Sequence, residues 1–135
     1  MAGYELVVQS GFSAAHRLRQ YHGDCEKLHG HNWKLEVVLV ADELDELGMV
    51  CDFRVLKDHL KTVTDQLDHR YLNELEPFRE INPTTENLAR YVCRELTRLL
   101  PEGLRIARVT AWESDHCGAT YINTVSYTHL TLPTN

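Results

Sequence analysis

The chain has 135 residues, 25% of them charged and 43% hydrophobic, with a formal net charge of −6, which fits one globular domain with a modest core. That acidic balance argues against nucleic acid or an anionic membrane surface as the main partner, although a local pocket could still be positive enough for a small anionic substrate. The first residues lack the basic region and apolar run of a signal peptide, no stretch approaches the length of a membrane span, and Cys25, Cys51, Cys93 and Cys117 form no CxxC pair, so a reduced, cytoplasmic protein is expected.

Tyr4 to Ala15 is predicted as a first strand, because Leu6, Val8, Ser10, Phe12 and Ala14 share one parity and His16 continues it. A polar loop, Arg17 to Asp24, leads towards a second strand, Asn32 to Val40, in which Trp33, Leu35, Val37 and Leu39 oppose Lys34 and Glu36. The acidic stretch Ala41 to Met49 reads as a loop. Asp52 is the expected N-cap of an amphipathic helix with Phe53, Leu56, Leu60, Val63 and Leu67 at helical spacing, ending near Asp68-His69-Arg70. Pro77, Asn82 and Pro83 mark a loop. Thr84 or Thr85 then caps a second helix whose stripe is Leu88, Val92, Leu96 and Leu99, and Pro101 with Gly103 ends it. Ile106 to Glu113 is a third strand and Ala119 to Val125 a fourth. The order β-β-α-α-β-β predicts a single α+β domain over residues 1–125, a four-stranded antiparallel sheet with two helices on one face. The Thr-rich, aperiodic tail Ser126 to Asn135 is placed outside it.

Chemistry concentrates between Cys25 and Asn32. His29 and His31 point to one side of an extended chain. They can aim both imidazoles at a point about 2.0–2.1 Å from each nitrogen, where zinc would sit. His16 closes the first strand and the pair opens the second, so antiparallel pairing would unite three imidazoles and leave a fourth position for water or substrate. The bland alternative is three unrelated polar residues at a sheet edge. Cys25 has three open readings: a ligand, a reactive thiolate, or a small buried apolar side chain. Asp68 could orient His69 for proton transfer, yet a helix C-terminus favours His69 and Arg70 in any case. Glu113 could take an amidine-like N–H pair through two parallel hydrogen bonds, or be solvated. Its candidate partners Thr84, Thr85 and Glu86 could equally be a helix cap. His22, His59 and His116, and the other cysteines, carry no spacing argument and read as structural.

As a set, these segments resemble the 6-pyruvoyltetrahydropterin synthase family, and within it the bacterial 6-carboxy-5,6,7,8-tetrahydropterin synthases of queuosine biosynthesis. The resemblance runs in order through Phe12-Ser13-Ala14-Ala15-His16, Cys25 to Asn32, Gly48 to Phe53, Leu67 to Asn73, Asn82 to Asn87 and Trp112-Glu113. It implies the tunnelling fold, whose sheets join into a barrel in a homohexamer. It implies zinc on His16, His29 and His31, Cys25 as the proton-abstracting thiolate, and Asp68 with His69 reaching the same pocket from a neighbouring subunit. Glu113 would anchor a pterin ring with help from Thr84 and Thr85, and Arg17, Arg19 and Lys27 flank the site as candidates for a triphosphate. The implied reaction converts 7,8-dihydroneopterin triphosphate to 6-carboxytetrahydropterin with release of acetaldehyde and triphosphate. Two alternatives remain: elimination to 6-pyruvoyltetrahydropterin without carbon–carbon cleavage, and a zinc-stabilised binding or assembly module without turnover.

Overall fold

The computed structural model describes residues 3–20 and 27–124 of the chain. Two long strands form its spine. β1 (Tyr4–His16) and β2 (His29–Ala41) pair antiparallel along their whole length, from Tyr4 opposite Ala41 to His16 opposite His29. Alternation explains the pairing, since Val8, Phe12 and Ala14 on β1 and Trp33, Leu35, Val37 and Leu39 on β2 are all buried in one core. Cross-strand polar contacts occupy the other side of the sheet, where Gln9 donates to Glu36 at 2.9 Å.

α1 (Phe53–Leu67) starts at Asp52, whose carboxylate accepts from the Arg54 N–H at 2.8 Å. Its buried Leu56, Leu60, Val63 and Leu67 carry it onto β1. α2 (Thr85–Leu99) is capped by Thr84, whose hydroxyl accepts from the Asn87 N–H at 3.1 Å. Leu88, Val92 and Leu96 are buried as expected and α2 packs on the last two strands, while Leu99, the end of the expected stripe, is exposed. The α+β layering with both helices against one core therefore holds.

The sheet itself departs from the four-stranded antiparallel one expected. Beyond α1 the chain turns through His69, whose backbone is left-handed at φ 58° and whose N–H donates to the Ser13 carbonyl at 2.6 Å. Arg70–Tyr71 then form β3, parallel to β1 at Ala14 and Ala15. With β4 (Arg105–Trp112) and β5 (Gly118–Ile122) the sheet is five-stranded and mixed, in the order β3-β1-β2-β4-β5. A two-residue strand has no alternation to read, so β3 leaves no trace in the sequence pattern.

β4 carries a bulge. Val38 opposes Arg108 and Leu39 opposes Ile106, leaving Ala107 as the extra residue. Asn123 closes the irregularity, its N–H donating to the Ala107 carbonyl and its side-chain amide to the Ile106 carbonyl, each at 2.9 Å. Ile106 and Val109 can then both enter the core although their spacing is odd. Val125 and the tail lie outside the described residues, and among those described no helix is long and apolar enough to cross a membrane.

Candidate active site

Strand parity delivers three imidazoles to one spot. His16 continues the buried parity of Phe12 and Ala14, and His29 and His31 share that of Trp33, so all three leave the sheet at one end of its core-facing side. β2 begins at His29 rather than at the expected Asn32, which puts the whole pair inside the strand. Ring centroids are 4.7 Å apart for His16 and His29, 5.1 Å for His16 and His31, and 4.6 Å for His29 and His31. Trp33, 2% exposed, forms the floor with its ring edge-on, 5.0 Å from His16 and 5.3 Å from His31.

The backbone fixes which ring nitrogen faces inwards. His16 Nδ1 lies 2.8 Å from the Pro83 carbonyl and His29 Nδ1 2.9 Å from the Lys27 carbonyl. A carbonyl only accepts, so each Nδ1 carries the proton and each Nε2 keeps its lone pair, the arrangement that suits a metal ligand. His16 Nε2 is buried without a hydrogen-bond partner, a costly state for a polar atom unless something occupies the space before it. The donor set therefore fits a metal ion.

Glu113, the first residue beyond β4, joins this cluster. Its Oε1 is 2.9 Å from His31 Nε2 and 3.4 Å from His16 Nε2. One ligand atom from each of His16, His29, His31 and Glu113 can be chosen so that all lie within 4.8 Å of one another, a grouping able to hold a cation. Spacing alone does not reveal this neighbour, because Glu113 follows β4, which lies two places along the sheet from the strand that carries His16.

The scaffold around the histidines depends on two asparagines. Beyond His16 the chain runs on without a partner strand, and side-chain amides take that place. Asn73 accepts from the Arg17 N–H at 3.0 Å and donates to the Arg17 carbonyl at 2.9 Å. Asn82 does the same to Arg19, at 2.8 and 3.0 Å. Both asparagines fall within the segments that carry the family resemblance, but nothing in their spacing assigns either side chain this role. In Asn82-Pro83-Thr84, consecutive residues hold Arg19, hold His16 and cap α2. Thr84, expected to help bind a ring, is thus engaged as the cap, and Thr85 opens the helix. The Arg19 guanidinium donates to the Phe78 carbonyl, while Arg17 Nε and Arg19 Nη1 are buried and unpartnered.

Asp68 and His69 stand apart from the metal-competent cluster. Asp68 Oδ1 accepts from the Ser13 N–H at 2.9 Å and Oδ2 lies 3.0 Å from His69 Nδ1. The Ser13 N–H, with His69 adding to it, holds the Asp68 carboxyl below its ordinary range. This is an oriented dyad with an exposed imidazole, and His69 shares with His31 the lining of a groove of about 510 Å³. Cys25 lies outside the described residues. Of the other cysteines, Cys51 and Cys93 have thiols pushed up by burial, as suits inert residues, and Cys117 is exposed.

Comparison with known proteins adds lineage. The model of the 6-pyruvoyl tetrahydropterin synthase family matches residues 5–124. The chain is 39% identical over 109 residues to the 6-carboxy-5,6,7,8-tetrahydropterin synthase of Synechocystis, covering 77% of this chain and 83% of that one. It is 36% identical over 113 residues to the dihydroneopterin monophosphate aldolase of Pyrococcus furiosus, covering 84% and 92%. Among solved structures, the 6-pyruvoyl tetrahydropterin synthase of Caenorhabditis elegans superposes with a TM-score of 0.81 at 28% identity, over 91% of this chain and 97% of that one.

Proposed function

The chain belongs to the 6-pyruvoyl tetrahydropterin synthase family, and from that premise we propose that it is a zinc-dependent carbon–carbon lyase of queuosine biosynthesis. It converts 7,8-dihydroneopterin triphosphate and water to 6-carboxy-5,6,7,8-tetrahydropterin, acetaldehyde and triphosphate. The observation that carries the reading is the cluster of His16, His29 and His31, with Nδ1 of two of the rings held by carbonyls. Zinc on these nitrogens supplies Lewis acidity towards the side-chain oxygens of the substrate. Cys25 removes a proton from the adjacent carbon, and His69, oriented by Asp68, passes protons at the oxygens. Glu113 takes the N–H pair of the pterin ring, and Thr84 and Thr85, at the start of α2, are the residues that would assist it once the Thr84 hydroxyl is shared with its capping role. Arg17 Nε and Arg19 Nη1, buried and unpartnered, are the donors available to the triphosphate.

Assembly is part of the same proposal. β1 is paired with β3 only at Ala14 and Ala15, and β5 ends the sheet on the other side. Both margins offer backbone groups that a second copy can pair with, which supports sheets joined edge to edge into a barrel; the family resemblance adds the homohexamer and the cytoplasmic setting to the proposal. In that assembly the dyad serves a neighbouring subunit's zinc.

Incubation with dihydroneopterin triphosphate and zinc tests the reaction, with acetaldehyde and the carboxylated pterin expected. Pyruvoyl product without acetaldehyde would transfer the assignment to the elimination reading. The name of the Pyrococcus relative motivates a third assay: retro-aldol cleavage of dihydroneopterin monophosphate would release glycolaldehyde phosphate instead. The binding-module reading also draws on one observation, since four protein donors make the closed set usual for structural zinc.

A further inference from the structure

Four donors are one too many for a metal that must receive substrate oxygens. In a tetrahedral centre with bonds of about 2.0–2.1 Å, neighbouring donor atoms stand about 3.3 Å apart. Glu113 Oε1 is 3.4 Å from His16 Nε2 and 2.9 Å from His31 Nε2, and the ligand atoms of all four residues lie within 4.8 Å of one another, so its carboxylate is within reach of the fourth position of such a centre.

We infer that Glu113 is an exchangeable metal ligand, closing the fourth position in the substrate-free protein and leaving it when a pterin arrives. The inference rests on the three-histidine metal centre proposed above. The rest of the residue fits a side chain that changes partners. Its backbone is pinned, with the Glu113 N–H donating to the Cys117 carbonyl at 2.9 Å across the β4–β5 turn. Its side chain is 33% exposed, against 3% for His16, and three single bonds separate its carboxylate from that fixed backbone. His16 and His29 cannot move in this way, because each Nδ1 is tied to a carbonyl. One carboxylate therefore connects the two halves of recognition. A ring bearing an adjacent pair of N–H donors draws Glu113 away, and the position it vacates is the one that the ring's own side-chain oxygens require. A molecule with oxygens but without the N–H pair meets a filled coordination sphere. Four protein donors and turnover are then compatible.

The test titrates the full chain with Co²⁺ alone, without any pterin, following both affinity and the visible ligand-field spectrum. Glu113→Ala and the isosteric Glu113→Gln are compared with the unaltered protein, and far-ultraviolet circular dichroism confirms that each is folded. Loss of a ligand is expected to raise the Co²⁺ Kd about tenfold or more in Glu113→Ala and to change the spectrum of both variants. An unchanged spectrum overturns the inference even if Kd moves, because a carboxylate acting only through its charge would do that. His31→Ala serves as the reference. If it binds Co²⁺ as the unaltered protein does, the metal centre itself is wrong. If it loses Co²⁺ while the Glu113 variants match the unaltered protein, only the exchange is wrong.

Discussion

Asn82→Ala isolates the scaffold from the chemistry, since its side chain hydrogen-bonds the backbone of Arg19 and is not one of the metal-competent groups. The substitution removes two hydrogen bonds, an acceptor 2.8 Å from the Arg19 N–H and a donor 3.0 Å from the Arg19 carbonyl. Each is half-buried and worth about 1 kcal/mol net, so the loss should be about 2 kcal/mol. Against a total stability of about 5–15 kcal/mol that is readily measured by urea unfolding of the metal-free protein. Asn82→Asp should cost at least as much at neutral pH, because it keeps the acceptor but turns an oxygen towards the Arg19 carbonyl. The neighbouring Pro83 carbonyl, which orients His16, should loosen as well, and the Co²⁺ Kd should rise by up to about tenfold, the lower end for outer-shell partners. A stability within about 0.5 kcal/mol of the unaltered protein, with Kd unchanged, would refute the idea that side-chain amides stand in for a missing strand.

Three further outcomes follow from the same geometry. Asp68 has its folded pKa depressed, so its contribution to stability is complete above the unfolded value near 3.9 and is lost as pH falls through the folded one. Urea midpoints measured from pH 6 downwards should fall less steeply for Asp68→Asn than for the unaltered protein, and parallel curves would contradict that. Gly118→Ala would place a methyl 2.7 Å from the Trp112 ring and 2.9 Å from the Ala111 carbonyl, an overpacking cost of about 1–3 kcal/mol that thermal unfolding should register. Cys25→Ala should keep fold and Co²⁺ binding but lose turnover, whereas His31→Ala should lose Co²⁺ as well. Full turnover in Cys25→Ala would remove the thiolate from the mechanism.

Legibility in the sequence followed periodicity. The parity of Leu35, Val37 and Leu39 specified a strand, that strand specified where His29 and His31 point, and the stripes from Leu56 to Leu67 and from Leu88 to Leu96 specified both helices. Contacts without a period stayed hidden. Arg70–Tyr71 are too short to alternate, and the bulge at Ala107 breaks parity within one strand. Asn73 reaches 56 residues back to Arg17 through a side-chain-to-backbone pair that no local spacing encodes. The proximity of Glu113 to His31 is equally a product of sheet order, which only the assembled β1-β2-β4 neighbours supply.

The bulge at Ala107 also acts as mechanical insulation. Between it and Glu113 the ladder is regular, with Val37 opposite Val109 and Lys34 opposite Trp112. On its other side lies the turn from Pro101 to Leu104 that feeds β4 from α2. An insertion, deletion or strain arising in that turn meets a strand already offset by one residue and stapled by Asn123, where slack can be absorbed. The register that aims Glu113 at the histidines is set beyond this point. One end of the sheet can therefore drift in length over evolutionary time while the other keeps its geometry.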